Sequence, residues 1–322
     1  MTRWQKIAST LLLAWLATGW NGAQAGDKRI AYLVSDQRIP FWDILWRGVA
    51  SKAGSLGYTA VALSAENDAK RELENVARVL REKVDGIVLS PTNSSAAATV
   101  LKLAGKAGIP VVIADIGTDG GDYVSYIASD NFTGAYEIGK VLVAALKARR
   151  WENGSVGIIS IPQKRANGKA RTAGFMKALD EAGIRAADLK QQVDFSYQET
   201  YDHARDIIAR HPQLRALWLQ GSDRYQGALD AIADAGRRGE ILLVCFDAEP
   251  EFIDMIPKGS LVGAAMQQPF LMGEESVAAL DAHLKGKTVA RERLLPILPV
   301  STENIGNLLP VIRRNVLGQE TR

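Results

Sequence analysis

Short apolar runs alternate with longer amphipathic segments along nearly the whole chain. Runs at 29–34, 59–63, 86–89, 110–113 and 124–127 are too short for helices and read as buried strands. Around them, 41–55, 68–82, 94–107 and 131–147 read as helices, the second of them polar. A second series then begins, with strands expected at 156–161, near 191–193, and at 216–219, 241–246 and 261–266. Its helices are expected at 168–182, 199–209, 225–235, 249–258 and 270–284. Strand–helix alternation of this kind builds parallel sheets covered on both faces. Two series of similar length predict an α/β protein of two doubly wound, Rossmann-like lobes. In such sheets ligands sit outside the carboxyl ends of the strands, so candidate chemistry is sought there.

The first 25 residues stand apart from this pattern. Arg3 and Lys6 precede an apolar run from Ile7 to Trp20, which ends in Ala23-Gln24-Ala25. A basic start, a short apolar stretch and an A-x-A ending form a secretory signal peptide, and the run is too short to span a bilayer. Cleavage after Ala25 and a periplasmic location are expected. The formal charge of the whole chain is +3, and two of those cations leave with the leader. The near-neutral remainder holds no basic stripe or arm for nucleic acid. A single cysteine, Cys245, lies in an apolar strand and reads as a small core residue, so no internal disulfide forms. About 297 residues remain, enough for two ordinary domains standing on their own cores.

Several expected strands end in polar or aromatic groups. After the first comes Ser35-Asp36-Gln37-Arg38-Ile39-Pro40-Phe41-Trp42, in which Pro40 suits a helix start and Phe41 and Trp42 sit in the first turn. Aromatic faces there could stack on a ring-shaped ligand or belong to the core. The strand at 110–113 runs on to Asp115, and that at 241–246 runs into Asp247. A buried carboxylate must find backbone donors, a cation or a ligand's hydroxyl groups, and one in each series points to a shared ligand. Arg165, Lys169 and Arg171 crowd a helix start, where the macrodipole disfavours cations, so they read as serving a polar ligand or an acidic residue of the cleft, the alternative being a solvated face. Arg224 follows the strand at 216–219 and Gln267 follows that at 261–266.

Taken in order, the stretches IPFWDILWRGVASKAGSLGY, VDGIVLSPTNSSA, IPVVIADIG, YIASDNFTGA, RANGKARTAGF and FDAEPEFIDMIPKG resemble the ribose-type, or type I, periplasmic solute-binding proteins. The resemblance spans residues 29 to 287. It implies two lobes joined by a three-strand hinge around a ligand cleft, with 26–130 and 268–297 in the first lobe and 131–267 and 298–322 in the second. It also implies ligand-binding roles for Phe41, Trp42, Asp115, Lys169, Arg171, Asp247 and Gln267. Departures from the family pattern are Ile39, Ile116 and Gly221-Ser222, each removing or shortening a polar group. A less hydroxylated ligand than ribose becomes plausible on that ground, and the surplus of cations keeps an acidic sugar derivative open.

No nucleophile elbow, phosphate-binding loop or metal-spaced His/Cys cluster accompanies the three histidines, so an enzyme is not expected. A regulator sharing the fold would need a DNA-binding motif where the leader stands. The expected function is capture of a small carbohydrate-like ligand by a monomer, without cofactor or metal. Delivery would be to the permease of an ABC transporter, or alternatively to a membrane sensor kinase or chemoreceptor.

Overall fold

The apolar runs become strands because each is short, rich in Val, Ile and Ala, and flanked by helices that cover it from both sides. The computed structural model describes residues 28–319. The expected signal peptide lies outside the described residues. The first series comprises β1 (Arg29–Val34), α1 (Pro40–Ser55), β2 (Thr59–Ser64), α2 (Ala69–Glu82), β3 (Gly86–Ser90), α3 (Ser94–Lys106), β4 (Val111–Ala114) and β5 (Ser125–Ser129). The second comprises α4 (Asn131–Ala148), β6 (Ser155–Ser160), α5 (Ala166–Glu181), β7 (Arg185–Gln191), α6 (Tyr197–Arg210), β8 (Leu214–Leu219), α7 (Tyr225–Asp234), β9 (Leu242–Phe246), the single turn α8 (Phe252–Met255) and β10 (Gly263–Met266). Then follow α9 (Pro269–Leu284), β11 (Glu292–Leu295), β12 (Leu298–Ser301), α10 (Ile305–Val311) and a π-helical turn at Ile312–Val316.

Two six-stranded sheets result, ordered β11-β5-β4-β3-β1-β2 and β12-β10-β9-β8-β6-β7. The winding is the same in both, and every pairing is parallel except β10 with β12. The order reverses between β1 and β3 in one sheet and between β6 and β8 in the other. A doubly wound sheet opens its binding crevice at such points. Alternate residues of each strand face opposite sides, so each sheet carries two cores. Ile30, Tyr32 and Val34 pack toward α1 and α9, whereas Ala31 and Leu33 pack toward α2 and α3. The chain passes between the sheets three times, at β5 to α4, at β10 to α9 and at β11 to β12.

Two helix pairs flank these crossings and use one device. At Gly48 of α1 a Cβ would stand 2.1 Å from the Phe270 carbonyl oxygen, and at Gly273 of α9 2.2 Å from that of Leu45. In the second lobe, a Cβ on Gly174 of α5 would stand 2.1 Å from the Phe132 carbonyl oxygen of α4. Glycine alone permits backbones this close.

The tail bridges the lobes. Ile305, Ile312, Val316 and Leu317 belong to a core cluster of the second sheet. Arg47 of α1 donates to the carbonyls of Leu317 and Gly318, and Arg314 pairs with Glu274 of α9. The expected helix at 249–258 is only one turn long, and the strand expected near 191–193 lies earlier, at Arg185–Gln191.

Candidate functional site

The carboxyl ends of both sheets face one cleft, and the same backbone turn delivers a carboxylate to it from each side. Asp115 follows β4 with φ 65°, and Asp247 follows β9 with φ 69°. Aspartate tolerates this left-handed conformation better than most residues. The Asp115 N–H still bonds the Ile127 carbonyl, and that of Asp247 the Ala265 carbonyl. Each chain therefore leaves its sheet only after its carboxylate is fixed at the strand's end.

Asp115 is 2% exposed, and its Oδ2 accepts from Asn167 Nδ2 at 3.1 Å, across the cleft. Its Oδ1 is buried without a partner. Asp247 accepts from Gln267 Nε2 and lies 3.5 Å from Arg171 Nη1. Gln267 Oε1 is likewise buried and unpartnered. Arg171, 3% exposed, is held by Asn131 Oδ1 at 2.8 Å, the Gln220 carbonyl at 2.7 Å and the Phe246 ring, 3.8 Å from its centroid. Arg165 reaches across to donate to the Thr92 carbonyl at 3.2 Å, while its Nε has no partner. Phe41 and Trp42 meet edge to face with centroids 4.9 Å apart. Between these groups lies a cavity of about 60 Å³, lined among others by Ile39, Phe41, Trp42, Asp115, Asn167, Arg171, Phe195, Asp247 and Gln267. Unpartnered acceptors, aromatic faces and fixed cations there suit a small ring bearing hydroxyls.

Burial dominates the electrostatics. It pushes the Asp115 carboxyl up to about 6, with Arg171 pulling the other way and Asp247 adding repulsion. Asp247 is also raised by burial, against Arg171 and Gln267. Glu249, just beyond, is pushed up to about 7 by burial. In the unfolded chain such groups titrate near about 4, so it releases these protons first and folded stability falls as pH rises through the folded values. The melting temperature of the protein without added ligand is therefore expected to rise as pH is lowered from about 8 to about 5. Calorimetry across that range checks this, and a steady fall would contradict it.

The sequence model described as a periplasmic binding protein domain matches residues 30–288. The chain belongs to the periplasmic binding protein family, in its ribose-type branch. Within this family it is 30% identical to the ribose import binding protein RbsB of Salmonella typhimurium, over 88% of this chain and 94% of that one. It is 26% identical to the D-apiose import binding protein of Paraburkholderia graminis, over 95% and 96%. A solute binding protein from Agrobacterium radiobacter, solved with D-arabinose, superposes with TM-score 0.82 at 22% identity, covering 91% of this chain and 99% of that one. One from Actinobacillus succinogenes, solved with D-allose, gives 0.80 at 21%, covering 87% and 100%. Periplasmic binding proteins of this branch carry solutes and are not enzymes.

In this periplasmic binding protein, six of the seven residues expected at the site line the one cavity: Phe41, Trp42, Asp115, Arg171, Asp247 and Gln267. Lys169 does not. It is exposed on the outer face of α5 and outside the cavity lining, and Arg165 and Asn167 of the same run enter the cleft in its place. Helical period accounts for the difference: Arg171 is four residues before Phe175 and seven before Ala178, both core, whereas Lys169 falls on the opposite face. Ile39 and Gly221 line the cavity, but Ile116 is wholly buried in the core. Asn167 lies in the cationic run and Asp223 follows the strand at 216–219, but neither is among the residues expected at the site, and Phe195 carries no mark in the sequence. Phe195 sits in the loop between β7 and α6, a stretch whose polar composition gives no signal of a site.

Proposed function

We propose that this chain is exported by a cleaved leader and, as a monomer, captures a small sugar-like solute between its lobes for the permease of an ABC transporter. The lobes would be bounded near residues 130, 268 and 297, and the three passages between the sheets would serve as the hinge. The observation that carries the reading is the pair of buried, unpartnered acceptors, Asp115 Oδ1 and Gln267 Oε1, beside Phe41 and Trp42 in a cavity walled by both lobes. The solute ring stacks on the aromatic pair. Asp115, Asp247 and Gln267 take its hydroxyls, and Asn167, Arg165 and Arg171 donate from the second lobe. A solute touching both lobes favours their contact by its differential affinity for the closed arrangement, which a permease can then read.

A thermal-shift panel of aldopentoses and aldohexoses tests this. At about 100 times its Kd a true ligand adds about 2.7 kcal/mol of stability, seen as a clear rise in Tm, and quenches or enhances tryptophan emission. No shift across the panel would overturn the reading. Asp115→Asn is expected to weaken that ligand by about tenfold or more through loss of a charge-assisted bond. At about pH 8 it should melt at or above the parent temperature, because it removes a buried charge that burial already disfavours. A variant with normal affinity would remove Asp115 from the site. Loss of uptake of the identified sugar on deleting the chain, restored by re-expression, tests delivery.

A further inference from the structure

A second hollow of about 30 Å³ opens beside the main cavity and shares Ile39, Phe41, Asp223, Asp247 and Gln267 with it. That volume admits a group of one or two heavy atoms. Its polar wall is Ser222, Asp223, Asp247, Glu249 and Gln267, and its apolar wall includes Ile44, Pro269 and Val316. Among the described residues no lysine, arginine or histidine lines it.

The hydrogen-bonding inventory is one-sided. Ser222, the one hydroxyl donor in the wall, already donates to Glu249 Oε1 at 2.8 Å. The Gln267 amide nitrogen is committed to Asp247, which leaves its buried Oε1 unpartnered in a residue only 2% exposed. Asp223 Oδ2 is buried and accepts no hydrogen bond, although Arg224 Nη1 lies 3.0 Å away. Two of the five Arg224 N–H groups donate to the carbonyls of Phe195 and Asp223, and its charge still pairs with the Asp223 carboxylate. What remains facing the hollow is a set of acceptors, three of them on carboxyl groups. A sugar hydroxyl brings one donor to such a set, whereas an ammonium brings three and a positive charge. Among the described residues no group of three or more His, Cys, Asp or Glu side chains is placed to hold a metal ion.

We propose that this hollow is a subsite for the ammonium group of an amino-substituted sugar. The inference rests on the main cavity being a sugar site, since that cavity must hold the ring. The two ends of the cleft then divide the work: Arg165, Arg171 and Asn167 donate to hydroxyls at one end, Asp223 and Glu249 accept from the amine at the other, and Gln267 Oε1, with two lone pairs, lies between and serves both. Glu249 is pushed up to about 7 by burial, with Asp223, Asp247 and Glu251 adding repulsion and the Ser222 bond opposing them. The other titrating groups beside it are Tyr225 and Cys245, both raised by burial and by Glu249 itself, and the Asp36–Arg38 pair stands near Asp223 from the first lobe. An arriving ammonium favours the ionised Glu249, so its binding releases a proton.

Isothermal titration with matched pairs tests the subsite: L-arabinose with 4-amino-4-deoxy-L-arabinose, D-glucose with D-glucosamine, and D-allose with 3-amino-3-deoxy-D-allose. In at least one pair the amine is expected to bind about tenfold tighter at pH near 7. That preference should shrink toward pH 5.5, with heats that depend on the buffer's ionisation enthalpy at pH near 7. Glu249→Gln and Asp223→Asn should each move the amine-to-hydroxyl affinity ratio toward one. Binding of a neutral sugar with its amine equal or weaker in every pair would overturn the subsite and leave the sugar site standing. Binding by no member would overturn both.

Discussion

Arg171→Met is expected to destabilise the protein by about 3–5 kcal/mol, because it strips the cation from a buried carboxylate instead of replacing the whole pair. Arg171 is the largest charge partner of both Asp115 and Asp247, and burial already disfavours the ionised form of each. Its loss also leaves Asn131 Oδ1 and the Gln220 carbonyl without their donor. Methionine keeps most of the packing over Phe246, so the effect reads charge more than volume. Calorimetry should show a Tm lower by about 10 °C. Lowering the pH should narrow the gap to the parent, since protonated carboxyls no longer need the cation. Adding Asp247→Asn to the variant should recover part of the loss, and strict additivity of the two changes would show that they do not interact.

Gly174→Ala is expected to cost about 3 kcal/mol and to weaken ligand binding, although residue 174 touches no part of the cavity. The new Cβ would lie 2.1 Å from the Phe132 carbonyl oxygen and 3.1 Å from the Tyr136 nitrogen, both backbone atoms of α4 that cannot rotate away. Relief requires α5 to move off α4, and the first turns of α5 carry Asn167 and Arg171. Gly105→Ala is the control. It lies in α3 with nothing within 4 Å of the added Cβ, so it should be neutral or slightly stabilising through helix propensity. Equal melting temperatures for the two variants would contradict the close-approach argument.

The fold was largely legible in the sequence. Strands such as β3 and β9 are buried on both faces, and a doubly buried strand must be written as a continuous apolar run. β7 was misplaced because it is an edge strand of sequence RAADLKQ, half-exposed and without an apolar run. β11 was missed for a related reason: ERLL is mostly exposed, and only its pairing with β5 makes it a strand. The helix expected at 249–258 was over-read because residues 247–251 form the turn that carries Asp247 and Glu249 to the cleft.

The candidate site divides along the same line. The sequence by itself determined the two α/β series, the apolar strands that end in Asp115 and Asp247, and the aromatic pair after β1. These are local properties, written in run length, periodicity and the residue that follows a strand. Tertiary structure alone decided that Arg165 and Asn167 face the cleft and Lys169 faces solvent, that Arg171 serves both carboxylates, and that Glu249, Ser222 and Gln267 share one small hollow. Those facts depend on how α5 rotates against α4 and how two separately wound sheets meet, and residues 52 to 76 positions apart in the chain leave no mark of that meeting in any local window.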